Sequence, residues 1–338
     1  MTRTFYSILI LFCGILTACS SKSDIKFPRE ATILQELMPL QGITCPAQLE
    51  IKSPFLIVHN TKRDDSLFHI YNLRTHELTS AFGVRGRGPN EFIATCLFNT
   101  PFSDFLIYEI ESADMVHRFG INEDGTPIFM GAKQPNYING ALNAAFINDS
   151  LYVLDDHMIS PNIQLLTLND EMPRKSRQYR ILSIINPWED PNLGSIYAND
   201  SRVVICYQYK KQIDFLDIDL NLKKSVRFKY DVPANIAVGP ESRNTNICYS
   251  KSYLGKRYLY ALFRGATWDQ ILRNPSFRGT ILEVFDLDGN PIIKYHLDGL
   301  APNFFVVDED TFTLYGSRQD GEPEDHLLVY KLKGLLNS

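Results

Sequence analysis

The chain has 338 residues, a formal net charge of −5, 44% hydrophobic and 12% aromatic residues, with 17 Tyr and 21 Phe. That length suits one large core or two ordinary domains, and the mild acidity leaves no basic footprint for a nucleic-acid partner. No apolar run reaches the roughly 18 residues a spanning helix needs, and the aromatic content leans towards strand, where flat rings pack well on pleated surfaces.

The chain opens with a segment that reads as processing signal rather than fold. Arg3 is its positive flank, and residues 6–16 form an apolar stretch too short to span a bilayer. It ends in Leu16-Thr17-Ala18-Cys19, which resembles the lipobox of bacterial lipoproteins. The resemblance implies cleavage before Cys19 and acylation of both its sulfur and its new amino group. Several acyl chains anchor stably where one is marginal. The plainer alternative is a secretory signal peptide with a chance cysteine. The expected division is a lipoprotein signal peptide over 1–18, a lipidated tether over 19–30 and one folded domain over 31–338. The expected location is the cell envelope, lipid-anchored to a membrane, on the periplasmic or surface face of the outer membrane. Cys13 leaves with the signal. Cys45, Cys96, Cys206 and Cys248 remain, far apart and without metal-ligand spacing. Four cysteines allow three pairings, but an exported chain of this size needs no staples, so free buried thiols are expected. No metal and no cofactor is expected.

From residue 47 a unit recurs: an apolar run, a polar gap, a second run ending near a Gly, Asn or Asp turn, and a more alternating strand. Second strands are predicted to begin near Phe55, Phe105, Leu151, Val203, Tyr258 and Phe312, at intervals of 50, 46, 52, 55 and 54 residues. A period near 50 with about four short strands marks propeller blades. Middle strands such as Phe55-Leu56-Ile57-Val58 are apolar throughout, as strands covered on both faces are. Val226-Arg227-Phe228-Lys229-Tyr230 alternates, as an outer edge does. The sixth unit, with strands expected over 303–307, 311–315 and 327–332, lacks a fourth. Residues 32–40 are expected to pair beside 327–332 and close the ring. The predicted fold is therefore all-β, a six-bladed β-propeller of four-stranded antiparallel blades, with the N-terminal strand completing the last blade.

The stretch Phe82-Gly83-Val84-Arg85-Gly86-Arg87-Gly88-Pro89-Asn90-Glu91-Phe92 reads as a joint between units, because three glycines and a proline cannot propagate a helix or a ladder. Together with Leu106-Ile107-Tyr108, Val116-x-Arg118-Phe119 and Gly125 it looks like a repeat of the NHL type. Tyr258-Leu259-Tyr260-Ala261, Leu282-Glu283-Val284-Phe285-Asp286 and Gly289 look like a second. With its lipobox, the whole resembles the six-bladed TolB-like propeller lipoproteins of Gram-negative, gut-type bacteria. The resemblance implies the fold and an envelope location, and little about activity.

In such a ring the inner-to-second and third-to-fourth turns share one end, and here they are mostly short. The other end receives the long loops, residues 83–91, 183–194, 231–244 and 264–278. Long loops on a rigid ring are where binding groups usually sit. Trp188 and Trp268 fall there, either as plugs under their own loops or as ligand platforms. Arg85, Arg87, Arg243, Arg264 and Arg318 sit on neighbouring loops. Arginine forks suit carboxylates, and aromatic faces stack on rings. Arg85 and Arg87 are as readily clasps to Glu91 or Glu109. For catalysis, Asp155, Asp156 and His157 end a strand of the third unit. Adjacent strand residues point to opposite sides, which favours a solvated turn. Glu109, Glu189 and Asp190 are candidates for a carboxylate pair across the ring. No nucleophile elbow, zinc-protease helix, phosphate loop or calcium loop occurs.

The expectation is a non-catalytic binding or scaffolding lipoprotein, held to a membrane through Cys19, with a glycan, peptide or protein ligand on its long-loop face. The competing expectation is an envelope hydrolase or lyase acting on a polysaccharide or other secreted substrate. The lipobox is directly testable. Cys19→Ala should abolish incorporation of a tagged fatty acid during growth, and equal labelling of both proteins would overturn that reading.

Overall fold

The computed structural model describes residues 25–43, 45–60, 66–86, 88, 91–110, 114–136, 143–155, 160–182, 186–229, 244–273, 280–317 and 325–335. Short apolar runs divided by Asn, Asp and Gly turns fold into strands that lie antiparallel to their sequence neighbours. From the axis outwards, blade one is Pro46–Lys52, Phe55–Asn60, Phe68–Asn72 and Glu77–Phe82. Blade two is Thr95–Phe98, Phe105–Glu109, Met115–Ile121 and Pro127–Lys133. Blade three is Ala144–Phe146, Leu151–Asp155, Asn162–Thr167 and Lys175–Gln178. Blade four is Gly194–Ala198, Val203–Tyr207, Gln212–Leu216 and Leu222–Arg227. Blade five is Asn246–Leu254, Tyr258–Thr267, Ile281–Asp286 and Pro291–Asp298. Blade six has Phe304–Asp308, Thr313–Ser317 and His326–Lys331 and takes its outer strand from the N-terminal Glu30–Pro39. The inner strands touch in blade order, and that of blade six touches that of blade one, so the ring closes.

The expected periodicity matches these strands closely. Five second strands begin where the sequence places them, and the sixth begins one residue later, at Thr313. Closure also follows the expected pairing, with Gln35 opposite Tyr330 and Pro39 opposite His326. One feature differs. Residues 30–34 continue past blade six and pair in parallel with blade five, Glu30 opposite Lys294 and Leu34 opposite Asp298. The strand is longer than one blade edge, and its leading half satisfies backbone groups on the next open edge. Two blades thus become one eight-stranded sheet. The outer strand of blade four, Leu222–Arg227, lies earlier in the chain than expected. It stops at Arg227, and Phe228 turns inward against the ring of Phe285, 6.3 Å away between centroids.

The core lies between blades rather than inside them. Each of six apolar clusters joins two neighbouring blades. The closing strand serves two of these clusters: Ile33 faces the joint of blades five and six, and Met38 that of blades six and one. Fully buried tyrosines carry much of the packing, each contributing about 2–3 kcal/mol by burial, with hydroxyls that tie down adjoining segments. Tyr71 donates to the Gln41 carbonyl at 2.6 Å, Tyr295 to that of Lys333 at 2.8 Å and Tyr330 to that of Leu300 at 2.6 Å.

The glycine-rich joint between blades one and two is anchored as expected. Phe92 is buried and Phe82 partly buried in the same cluster. Gly83 has φ +78°, and a Cβ there would lie 2.9 Å from the Phe68 ring, so both backbone and packing require glycine. No disulfide joins the four described cysteines, of which Cys206 and Cys248 are buried and Cys45 and Cys96 partly so.

Removing residues 25–40 should abolish cooperative melting, because it bares the edge of His326–Lys331 and one wall of two core clusters. Met38→Ala, which only trims the latch, should cost about 2–5 kcal/mol in urea denaturation. A protein that begins near residue 41 and melts like the parent would refute this role for the strand.

Candidate functional site

Because every blade presents only its inner edge to the axis, six short strands enclose a space that their side chains do not fill. A channel of about 170 Å³ runs between them, bordered by Gln48, Asn143, Ser195, Lys251, Tyr253 and Phe304 among others. It adjoins a basin of about 620 Å³, and Asn99, Ala198, Tyr253 and Leu254 belong to both. The basin is walled by the inner-to-second-strand turns of blades one, two, four, five and six, including Ser53, Phe102, Asn199, Lys256 and Glu309. It therefore opens at the short-turn end, opposite the end on which the sequence places the binding loops. Loop length reports on the surface of a ring; the volume at its axis depends on how far the inner strands stand apart.

The basin walls are set by polar clasps between blades. Glu50 of blade one is buried and pairs with Lys52 at 2.6 Å. It accepts from the Thr100 amide of blade two at 3.0 Å and also from the side-chain amide of Asn99. The Lys52 ammonium donates to the carbonyls of Thr100 and Phe102, both at 2.7 Å. Asn199 of blade four donates to the Gly255 carbonyl of blade five at 2.7 Å. Glu309 of blade six accepts from the amides of Arg257 and Tyr258, at 3.0 and 3.2 Å, and from the Tyr260 hydroxyl at 3.1 Å. Burial raises the Glu309 carboxyl above the usual range despite the opposing pull of these donors. Among the described residues five carboxylates line the basin, Glu50, Glu123, Asp308, Glu309 and Asp310, against two lysines, Lys52 and Lys256.

The residues singled out in the sequence meet varied fates. Trp188 is 55% and Trp268 37% exposed, so neither is a buried plug. Trp188 sits in a short 3₁₀ turn near Leu182, itself 74% exposed, and Trp268 opens a short helix. Arg85 is exposed, and its charge adds to burial in lowering His59 to about 4. Glu91 folds back into its own loop, where its carboxylate accepts from the Gly88 amide at 2.6 Å. Arg264 is a correction: it belongs to the second strand of blade five rather than to a loop, and it is buried. Its guanidinium donates to the Pro302 carbonyl at 2.9 Å, joining blades five and six.

The acidic candidates are built into the scaffold. Asp155 is buried rather than in a solvated turn, because the Tyr179 hydroxyl donates to it at 2.7 Å and Arg180 lies 3.8 Å away. Glu109 is buried with His117 at 3.3 Å. Asp190 is buried and accepts from the amides of Ile181 and Asn192, at 2.8 and 2.7 Å. Glu189 accepts from the Asn186 side chain at 2.7 Å. Each is engaged within its own blade or loop. Among the described residues no group of three His, Cys, Asp or Glu side chains could hold a metal ion. Cys19, Arg87, Asp156, His157, Arg243 and Arg318 lie outside the described residues. Sequence reasoning missed Lys251 and the basin. The available signal was a polar side chain in or directly after the first strand of four of the six units, at Gln48, Asn99, Ser195 and Lys251.

A family model described as TolB-like 6-blade propeller-like matches residues 22–310. Among solved structures, a protein described as exported, from Bacteroides fragilis, aligns with a TM-score of 0.54 at 10% identity, covering 89% of this chain and 97% of its own. A member of the duf4221 family from Bacteroides vulgatus aligns with a TM-score of 0.51 at 13% identity, covering 92% of this chain and 98% of its own. At such identities the likeness concerns fold alone. No curated protein sequence matches the chain.

Glu50→Gln should lower stability by about 3–5 kcal/mol in urea denaturation, since it strands the Lys52 ammonium in a buried position. Trp188→Ala, at an exposed site, should change it by less than about 0.5 kcal/mol. Equal effects would show that the Glu50 clasp does not hold the basin wall.

Proposed function

The chain belongs to the TolB-like 6-blade propeller-like family, and from that premise we propose that it is a cell-envelope lipoprotein acting as a non-catalytic binding propeller. The observation that carries this reading is the axial basin of about 620 Å³. That is the size of a small-molecule or short-chain site, where concave pockets of about 300–1,000 Å³ are usual. Its wall combines aromatic faces, Phe102 and Tyr253, with amide, hydroxyl and charged groups from five blades. Such a lining suits a polar ligand, a glycan fragment or a short peptide, held by many weak contacts. The described carboxylates considered for catalysis, Glu109, Asp155, Glu189 and Asp190, are occupied by partners that fix the scaffold, which favours binding over hydrolysis. Anchoring through Cys19 is supported by the lipobox, and export also by the structural neighbour from Bacteroides fragilis described as exported.

A second reading concerns the loop end. Ile181, Leu182 and Trp188 are all exposed there, large apolar side chains of the kind that anchor a protein partner.

One experiment separates the two. The lipid-free protein is screened against oligosaccharides and short peptides by thermal shift and calorimetry. Lys256→Trp, on an exposed turn of the basin rim, should weaken a hit by about tenfold or more, by narrowing the mouth. Trp188→Ala and Trp268→Ala should leave that hit unchanged. The reverse pattern, with losses of roughly 1–3 kcal/mol in the tryptophan variants, would move the site to the loop end.

A further inference from the structure

Among the described residues the buried and part-buried lysines are paired, with one exception on the axis. Lys52 meets Glu50 at 2.6 Å, Lys211 meets Glu283 at 2.8 Å and Lys210 donates to the Asn192 side chain at 2.5 Å. Lys251 stands on the inner strand of blade five and borders the axial channel. Its ammonium lies 4.5 Å from the centre of the Phe304 ring, across the joint to blade six. Among the described residues no carboxylate pairs with it and no oxygen accepts its protons. A cation over an aromatic face gains roughly 1–2 kcal/mol when desolvated, less than a charge removed from water gives up. Burial accordingly lowers its pKa, and no neighbouring charge pulls it back. The channel has room for on the order of ten waters and is bordered by further polar groups, Gln48, Asn143 and Ser195. The groups needed to receive an anion are thus in place, and the charge that would balance Lys251 is not supplied by the described chain.

We infer that Lys251 receives a carboxylate of the ligand in the axial site, and that this ligand is a short peptide. The inference rests on the proposed axial binding site and narrows its ligand. The adjoining basin decides between sources of a carboxylate. Its lining is acidic, with Glu123 and Asp310 exposed beside Glu309. An acidic sugar would meet repulsion there, whereas a peptide presents its ammonium to those carboxylates and its carboxylate to Lys251. The opposed charges of channel and basin match the two ends of a zwitterion.

The probe is trialanine, compared by calorimetry with its C-terminal amide and with D-glucuronate. Trialanine should bind saturably, and amidation or Lys251→Met should each weaken it by about 10- to 100-fold, as expected for loss of a charge-assisted hydrogen bond. Lys251→Arg should retain most of the affinity. The melting temperature of Lys251→Met should not fall, since the substitution removes an uncompensated, part-buried charge and keeps the volume. Equal binding of the peptide and its amide, preference for glucuronate, or absence of trialanine binding at millimolar concentration would overturn the inference. If the amide binds as well as the acid and Lys256→Trp weakens both, the axial site stands and the role of Lys251 falls. If Lys256→Trp affects no hit, the axial site itself falls.

Discussion

Each blade here is too thin to have a core of its own, so its two faces must be covered by its neighbours. That requirement runs around the ring and is met only if the last joint closes. The N-terminal strand meets it, pairing antiparallel with His326–Lys331 and placing Met38 among Leu49, Leu56 and Val306 of the two blades it joins. The apolar middle strands, the buried tyrosines and the axial cavity all presuppose that closure. Opening the joint would uncover one face each of blades one and six, and wetting would then favour opening the joints beside them.

Closure also determines how polar groups are arranged. Inner strands converge at the axis, where their turns come close enough for Glu50 to reach Thr100, Asn199 to reach Gly255 and Glu309 to reach Arg257. Each clasp links a blade to the next, so the basin wall is rigid in the way the ring is rigid. Within this pattern of satisfied charges Lys251 is conspicuous. A propeller that pairs Lys52 and Lys211 with buried carboxylates has the means to pair another lysine, and a cation left facing a channel is better matched by something that comes and goes.

The fold was legible because it repeats. A spacing near 50 residues and middle strands without polar alternation identify blades, and the missing outer strand in the sixth unit calls for residues from the other end of the chain. The additional parallel pairing of residues 30–34 was not legible, because edge pairing is specified by which edge lies open nearby and leaves no periodic mark. The site was much less legible. Arg264 reads as a loop residue because it follows an apolar run, yet the strand extends three residues further and buries it. Asp155 reads as a solvated turn because two acids and a histidine follow one another, but Tyr179, from a distant part of the unit, closes over it. Contacts of that kind depend on tertiary approach, which composition and spacing do not encode.

The latch has a mechanical aspect as well. Any pull on the segment before residue 25 enters the ring through residues that grip two blades at once. Phe27 is wedged against Phe228 and Phe285, with ring centroids 6.2 and 5.3 Å away, and Arg29 donates to the Gly334 carbonyl at 2.6 Å. Beyond them the strand lies parallel to one blade and antiparallel to the other, so its hydrogen bonds run across the strand and a lengthwise tug loads them together in shear. Rings fastened by a terminal strand risk being unzipped from that terminus one bond at a time. In this propeller the leading half of the strand, held by blade five, shares the load with the trailing half that completes the ring.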